Sequence, residues 1–442
     1  MTEDKKIAIV EETICKDKIS ELPEDLLVRI LSLVPIKDAV ATMFLSKRWL
    51  SIWTMIPTLE YKDNDVQDYA DFNDDNVYDA AVWYKEMKNT VWNLLDKSMQ
   101  LHKAPVIDSL CVKLGQLCPT DVDVVKWVAN AVSRCLLDLE FVLSWSADPT
   151  TLPSSLYFCE SLVKLTLSHK ILVDVLSPAC LPSLRELSLD CVVYKDEDSV
   201  VRLLSGCPVL KNLFVIRKKT ADNVKKFTIN VPSLLELFYS TSYDEDDDEE
   251  HALVINTPRL EEFSIHDSFG DSSSIENMPF LKCAYINLAS CTNEKFLRLV
   301  CNSTIKFSGL LKLRICPRES DWFEPLKSLL ENSPNLKELW VDFDCGDAND
   351  IAVSWNQPIR TPRCLSSQLE TFKWKEYGGT EGEEQFLRYV LANSKCLNTA
   401  IINLQYNLKR NREEKHMMME KLKHLPRAST TSQLLFEYIS RI

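Results

Sequence analysis

Ser183-Leu184-Arg185-Glu186-Leu187-Ser188-Leu189 sets three leucines in the pattern L-x-x-L-x-L, with Pro182 just before it. In an extended chain side chains alternate between the two faces, so Leu187 and Leu189 share one face. Leu184, Leu187 and Leu189 are expected inside, with Arg185, Glu186 and Ser188 on a solvent-facing sheet. Ser161-Leu162-Val163-Lys164-Leu165-Thr166-Leu167 and Val209-Leu210-Lys211-Asn212-Leu213-Phe214-Val215 repeat the pattern. Weaker copies run from Leu234 to Phe238, Leu260 to Ile265, Leu310 to Ile315 and Leu336 to Val341. The copies recur at roughly 20–30 residues, a period that marks a repeat array. Pro182, Pro208, Pro232, Pro258, Pro279 and Pro334 precede many of them and end the preceding segment. One such unit cannot bury its leucines alone, so stacked neighbours must share a continuous core. The pattern predicts a solenoid over residues 106–350, an irregular arc with mixed helical and loop connections.

That interval, with L-x-x-L-x-L, is the signature of leucine-rich repeats. The flanks differ from it. Residues 1–18 read as a tail. In residues 19–60, Leu22, Leu26, Leu27, Ile30, Leu31 and Val34 recur at helical spacing, with Pro23 at the start and Pro35 at the stop. A second short helix is expected from Asp38 to Leu45 and a third from Lys47 to Trp53, capped by Ser46. Residues 61–105 read as an acidic linker, Asp63 to Asp79, followed by a helix from Tyr78 to Leu101. Asp244 to Glu250 is an unbroken acidic run, expected as a solvated loop. Residues 356–442 change pattern again. Leu369 to Trp374 alternates like a strand, and Glu383 to Ser394 is amphipathic. Leu397 to Leu404 suggests a further strand, Lys409 to Lys423 a basic, Met-rich helix, and Leu425 to Phe436 a closing segment. The module is expected to cap the open end of the array.

Composition narrows the function. The chain has 442 residues, a formal net charge of −14 and only 8 glycines. A surface so acidic repels nucleic-acid phosphates, and phosphate-binding loops need more glycine. No run of about 18 apolar residues could span a membrane, and Met1 to Lys18 has no apolar signal region. The 15 cysteines are scattered singly and are expected as reduced thiols, hence a nuclear or cytoplasmic protein.

Three blocks in the N-terminal region resemble an F-box: Ile19 through Leu27 continuing to Pro35, Lys37-Asp38-Ala39-Val40, and Leu45-Ser46-Lys47-Arg48-Trp49. Leu152-Pro153-Ser154-Ser155-Leu156 and Leu203-Leu204-Ser205-Gly206-Cys207-Pro208 resemble the repeats of plant F-box/leucine-rich-repeat proteins. Tyr377-Gly378-Gly379-Thr380-Glu381-Gly382-Glu383-Glu384 and Leu425-Pro426-Arg427-Ala428-Ser429-Thr430 resemble the FBD module of the same family. The resemblance implies an α/β protein: a small all-helical F-box, a leucine-rich-repeat solenoid and an α+β FBD-like cap. It further implies that the F-box binds a Skp-type adaptor and, through it, a cullin that carries the catalytic ring-finger subunit. The repeats would recruit a target protein. The adaptor-contacting residues it implies are Leu22, Pro23, Leu26, Leu27, Ile30, Leu31, Val34, Pro35, Leu45 and Trp49. Ser46, Lys47 and Arg48 stand at its matching polar positions. Met43 and Leu50 depart from its more usual Ser and Arg.

No catalytic constellation competes with that expectation. The six histidines form no H-E-x-x-H, and no Cys-x-x-Cys is present, so neither metal nor cofactor is expected. Gly378 to Gly382 lacks the lysine of a phosphate loop. Cys180 and Cys207 beside prolines are expected as packed core thiols. The alternatives are a scaffold outside any ligase and a small-molecule-dependent receptor using the concave face. For an anionic ligand, Arg217-Lys218-Lys219 is the one compact basic cluster.

Overall fold

The alternating segments become strands of a single sheet. A computed structural model describes residues 19, 21–63, 91–145, 148–218, 224–242, 252–266, 274–276, 278–287, 307–316, 322–343, 355, 357–358, 360–405 and 412–437. The fourteen strands of the main sheet are β1 (Thr58–Lys62), β2 (Ser109–Leu114), β3 (Asp138–Leu143), β4 (Lys164–His169), β5 (Glu186–Asp190), β6 (Asn212–Lys218) and β7 (Glu236–Ser242), then β8 (Glu262–His266), β9 (Cys283–Asn287), β10 (Lys312–Cys316), β11 (Glu338–Asp342), β12 (Thr371–Tyr377), β13 (Thr399–Leu404) and β14 (Gln433–Glu437). They lie in sequence order and every neighbour is parallel, as in a solenoid that adds one strand per turn.

Register fixes which residues meet. Leu165, Leu187, Leu213 and Leu237 form one continuous row across β4 to β7, and all four are buried. Leu184 and Leu189 are buried beside them, Arg185 and Glu186 are exposed, and Ser188 is half-buried. Behind the main sheet, two small parallel sheets form a second layer. One joins Thr150–Thr151, Ile171–Val173 and Val193–Tyr194, and the other Lys226–Asn230, Ala252–Asn256 and Ser274–Ile275. His169 (φ 65°) and Cys191 (φ 52°) make the return from β4 and β5 toward that layer. Both sit in the left-handed region, which costs a side-chain-bearing residue roughly 1–2 kcal/mol.

The N-terminal unit holds α1 (Glu24–Leu31), α2 (Ile36–Ala41) and α3 (Trp49–Ile52), with 3-10 turns at Thr42–Phe44 and Trp53–Met55. The second helix therefore starts right after Pro35 and tightens before Leu45, where Asp38 to Leu45 was expected. The third is shorter than Lys47 to Trp53, and Ser46 does not cap it. Arg48 holds the N-cap position but its side chain makes no capping bond, while the Ser46 carbonyl accepts from Leu50 N at 3.2 Å. Further along the chain come α4 (Val91–Leu101), α5 (Val124–Val132), α6 (Glu197–Ser205), α7 (Phe323–Asn332), α8 (Arg363–Ser367), α9 (Glu381–Asn393) and α10 (Arg412–Lys423). Asp123 and Asp196 cap α5 and α6 by accepting from Lys126 N at 3.0 Å and Ser199 N at 2.6 Å.

The array starts earlier than residue 106. Thr58–Lys62 pairs with Ser109–Leu114, so the first strand emerges directly from the helical unit. Its five residues alternate in burial, but a single short strand followed by an acidic stretch carries no repeat signal. Residues 64–90, with the acidic linker and the start of the Tyr78–Leu101 helix, lie outside the described residues, as do Asp244–Glu250 and 406–411. At the other end β12, β13 and β14 continue the same sheet, so the C-terminal module extends the array. Thr380-x-x-Glu383 is a capping box at the start of α9. The Glu383 carboxylate, buried and raised above its ordinary pKa by that burial, accepts from Thr380 N at 2.8 Å.

Gly206 ends α6 where only a hydrogen fits. A Cβ there would lie 2.3 Å from the Ala179 carbonyl oxygen, which is backbone and cannot swing away. Gly206→Ala is expected to lower stability by roughly 1–3 kcal/mol, the usual cost of forced overpacking. Urea denaturation followed by circular dichroism measures it, and an unchanged midpoint would contradict the close approach.

Candidate partner-binding site

Helix α1 carries two adjacent apolar stripes. Leu27 (0% exposed) and Leu31 (4%) face inward with Trp49 (8%), packed with Ile52 and Trp53. Leu26 and Ile30, one residue earlier in each turn, face solvent. Of the thirteen residues implied as contacts, Pro23, Leu26, Ile30, Val34, Pro35, Leu45, Ser46 and Lys47 are exposed, and Leu22 and Arg48 are half-buried. Leu27, Leu31 and Trp49 are core. A partner could reach them only by opening the unit. Arg48 Nη2 donates to the Leu22 carbonyl, which ties the chain entering α1 to the start of α3.

Other apolar residues join the exposed set. Leu33 is 86% exposed and Phe44 81%, and Ile19, Leu50 and Met55 are also open. A visible signal for Leu33 was the run Leu33-Val34-Pro35 past the end of α1, too much apolar surface for one helix face to bury. Leu50 adds to this surface. An exposed cluster of this kind on short helices marks a protein contact.

The unit is fixed to the sheet. Thr54 O accepts from Lys103 N at 2.8 Å and from Ala104 N at 3.1 Å. His102 is buried between the two parts: its Nε2 meets Ile56 O at 2.8 Å and its Nδ1 meets Arg134 Nη1 at 2.8 Å. Since Arg134 only donates, Nδ1 accepts and Nε2 carries the proton. Burial, then the nearby Arg134 charge, lower the imidazole pKa against the raising effect of the Ile56 bond.

The concave face of the sheet is the second candidate surface. A groove of about 690 Å³ runs across β4 to β11. Phe214 and Phe238 stack there with ring centres 4.3 Å apart. Arg314 lies over the Tyr285 ring at 4.6 Å and Lys373 over Trp340 at 4.1 Å. Arg314 also pairs with Asp342, which lies 3.8 Å from Lys375. The basic cluster expected at Arg217 does not line this face. Arg217 is 2% exposed, donates to Tyr239 Oη at 2.9 Å and to the Val224 carbonyl, and lies over Phe227. Lys219 falls outside the described residues. Cys207 is buried as expected, but Cys180 is exposed, because its Pro-flanked loop runs over the surface.

Family models match in three places: the F-box domain over residues 19–60, the LRR repeats of FBD-associated F-box protein At5g56370 over 124–280, and the FBD over 357–402. The FBD match covers α8, β12, α9 and most of β13, so that module is structurally a continuation of the repeat sheet. Among Arabidopsis thaliana relatives, one named for an FBD-associated F-box (At1g05080) is 51% identical, covering 97% of this chain and 99% of its own. F-box/FBD/LRR-repeat protein At4g26340 is 36% identical, covering 95% of this chain and 100% of its own. An F-box joined to repeats is the organisation of a protein-interaction adaptor, and members of this family are generally non-catalytic. The chain belongs to the F-box/FBD/LRR-repeat proteins of plants.

Proposed function

We propose that the protein is the substrate-receptor subunit of an SCF-type (Skp–cullin–F-box) ubiquitin ligase. The observation that carries this is the open apolar surface of Leu26, Ile30, Leu33, Val34, Phe44 and Leu45 on helices anchored to one end of the sheet. A Skp-type adaptor would cover that surface and link the chain to a cullin. The concave face, held at a set distance, would present a target protein near the ubiquitin carrier. Raising local concentration and orienting the acceptor are then its whole contribution, and bond formation belongs to other subunits. A nuclear or cytoplasmic location goes with this role.

The test separates contact from fold. Leu26→Asp with Ile30→Asp is expected to weaken adaptor binding at least 100-fold in calorimetry while leaving the melting curve nearly unchanged, because both residues are exposed. Leu27→Ala, in contrast, is expected to cost about 2–5 kcal/mol of stability as a core truncation. Wild-type adaptor affinity in the Leu26/Ile30 double variant would overturn the proposal.

A further inference from the structure

β14 ends the main sheet, and among the described residues no strand pairs with its outer edge. The inner rows stop there unfinished. Leu339, Phe372 and Ala400 are buried and lead to Leu434, while Val341, Trp374 and Ile402 are buried and lead to Phe436. Leu434 and Phe436 are only half-buried, and Leu435 on the concave side is 42% exposed. Sheet edges are commonly blunted by lysine, proline or a bulge, because a bare edge accepts a further strand. β14 carries none of these: it reads Gln433-Leu434-Leu435-Phe436-Glu437, in unbroken register with β13.

The hydrogen-bond phase fixes which backbone groups the edge offers. Gln433 N donates to Asn398 O at 2.9 Å. Residues along a parallel strand bond alternately to one neighbour and the other, so Leu435 and Glu437 also turn to β13. Leu434 and Phe436 then direct N–H and C=O outward. The strand is self-complementary about Leu435. Laid antiparallel on a second copy with Leu435 at the two-fold axis, Leu434 meets Phe436 and Gln433 meets Glu437. The outward-facing residues then form the pairs that exchange both N–H···O bonds, and Leu435 meets Leu435 at a non-hydrogen-bonded pair, where side chains lie closest. No like charges are directly opposed, and Leu434 and Phe436 of each copy continue the other's inner rows.

We propose that β14 docks on β14 of a second copy, giving an isologous dimer with one continuous sheet. A strand of unrelated sequence would need its own match to an edge that already matches itself in bonding phase, buried face and charge. The N-terminal helical unit of each copy lies beside β1, at the far end of its sheet, so the dimer holds the two units at opposite ends. One strand pair buries less surface than a permanent dimer needs, so association is reversible, with a dissociation constant in the micromolar range. This inference does not depend on the ligase role.

The test is sedimentation velocity of the full chain over about 1–100 μM, a span that brackets that range. Wild type is expected to pass from monomer to dimer. Leu435→Lys and Leu435→Glu each place like charges at the two-fold axis, and each is expected to weaken association at least about tenfold. An equimolar mixture of the two variants should restore it, because Lys then faces Glu. Gln433→Lys, opposite Glu437 of the second copy, should tighten association about threefold, and Gln433→Glu should weaken it. Both positions are exposed, so melting curves should stay near wild type, and the Gln433 pair keeps the test decisive if a Leu435 variant unfolds. A wild type that stays monomeric would overturn the proposal and leave the edge to another protein. So would a dimer that tolerates either charge at Leu435, or a mixture that stays monomeric where wild type associates. Self-association lost in Leu26→Asp with Ile30→Asp but kept in Leu435→Lys would place the contact on the N-terminal helices and sink it as well.

Discussion

Leu187→Asp is expected to abolish the folded repeat region. Leu187 is 2% exposed and lies in the buried row between Leu165 on β4 and Leu213 on β6. Its neighbours offer only hydrocarbon, so a carboxylate placed there has neither water nor a cation. Leaving a charge unpaired in such a site costs several kcal/mol, in addition to the lost leucine packing. Leu187→Ala alone should cost about 2–5 kcal/mol. In a stacked array each repeat depends on its neighbours, so failure at β5 removes support from β4 and β6 as well. The expected outcome is an insoluble or largely unfolded chain by circular dichroism and hydrogen exchange. Glu186→Ala, one residue away and exposed, should stay within about 0.5 kcal/mol of wild type. A soluble Leu187→Asp protein with normal exchange protection through β4 to β6 would be incompatible with a shared core.

Truncation after Asp350 is expected to be equally disruptive, for a different reason. It removes β12 to β14 with α8 to α10, and makes β11 an open edge. Leu339 and Val341 on β11 lose their register partners Phe372 and Trp374. The aromatic cluster behind the sheet is cut in two. Trp322 loses Trp374 at 6.0 Å and Phe386 at 5.8 Å, and Phe323 loses Phe386 at 5.0 Å. Each large side chain exposed in this way forfeits roughly 1.5–3 kcal/mol. An unpaired parallel edge next to bare aromatic surface is also a template for association. Light scattering should show aggregation, and thermal unfolding of the remaining repeats should begin lower. A monomeric fragment with an unchanged melting temperature would show that the C-terminal module folds and acts by itself.

Much of this architecture is local in origin. L-x-x-L-x-L at Leu184, Leu187 and Leu189 dictates a strand with one buried face, and no isolated strand can satisfy that face. Repetition then forces stacking. Thr380 and Glu383 declare the start of α9 within four residues, because a capping box closes on itself. The first helix of the N-terminal unit was legible for the same reason, helical spacing bounded by Pro23 and Pro35, whereas the F-box itself was read from the resemblance of its three blocks.

Choices between equivalent faces and meetings of distant residues depended on packing. Leu26 and Leu27, or Ile30 and Leu31, are interchangeable by spacing, and α3 with Trp49 and Trp53 decides which stripe turns in. Arg217 sits in a basic run, yet Tyr239, Phe227 and the Val224 carbonyl draw it inside. Thr58–Lys62 becomes a sheet strand only because Ser109–Leu114 returns beside it. Glu236 and Glu262 are 26 positions apart and oppose each other only through register, which irregular loop lengths hide from any count along the chain. Period and composition act over a few residues, so the sequence by itself determined the strands, the capped helices and the need to stack. Which side chains share a surface is set by the packing of whole layers, and the tertiary structure alone decided it.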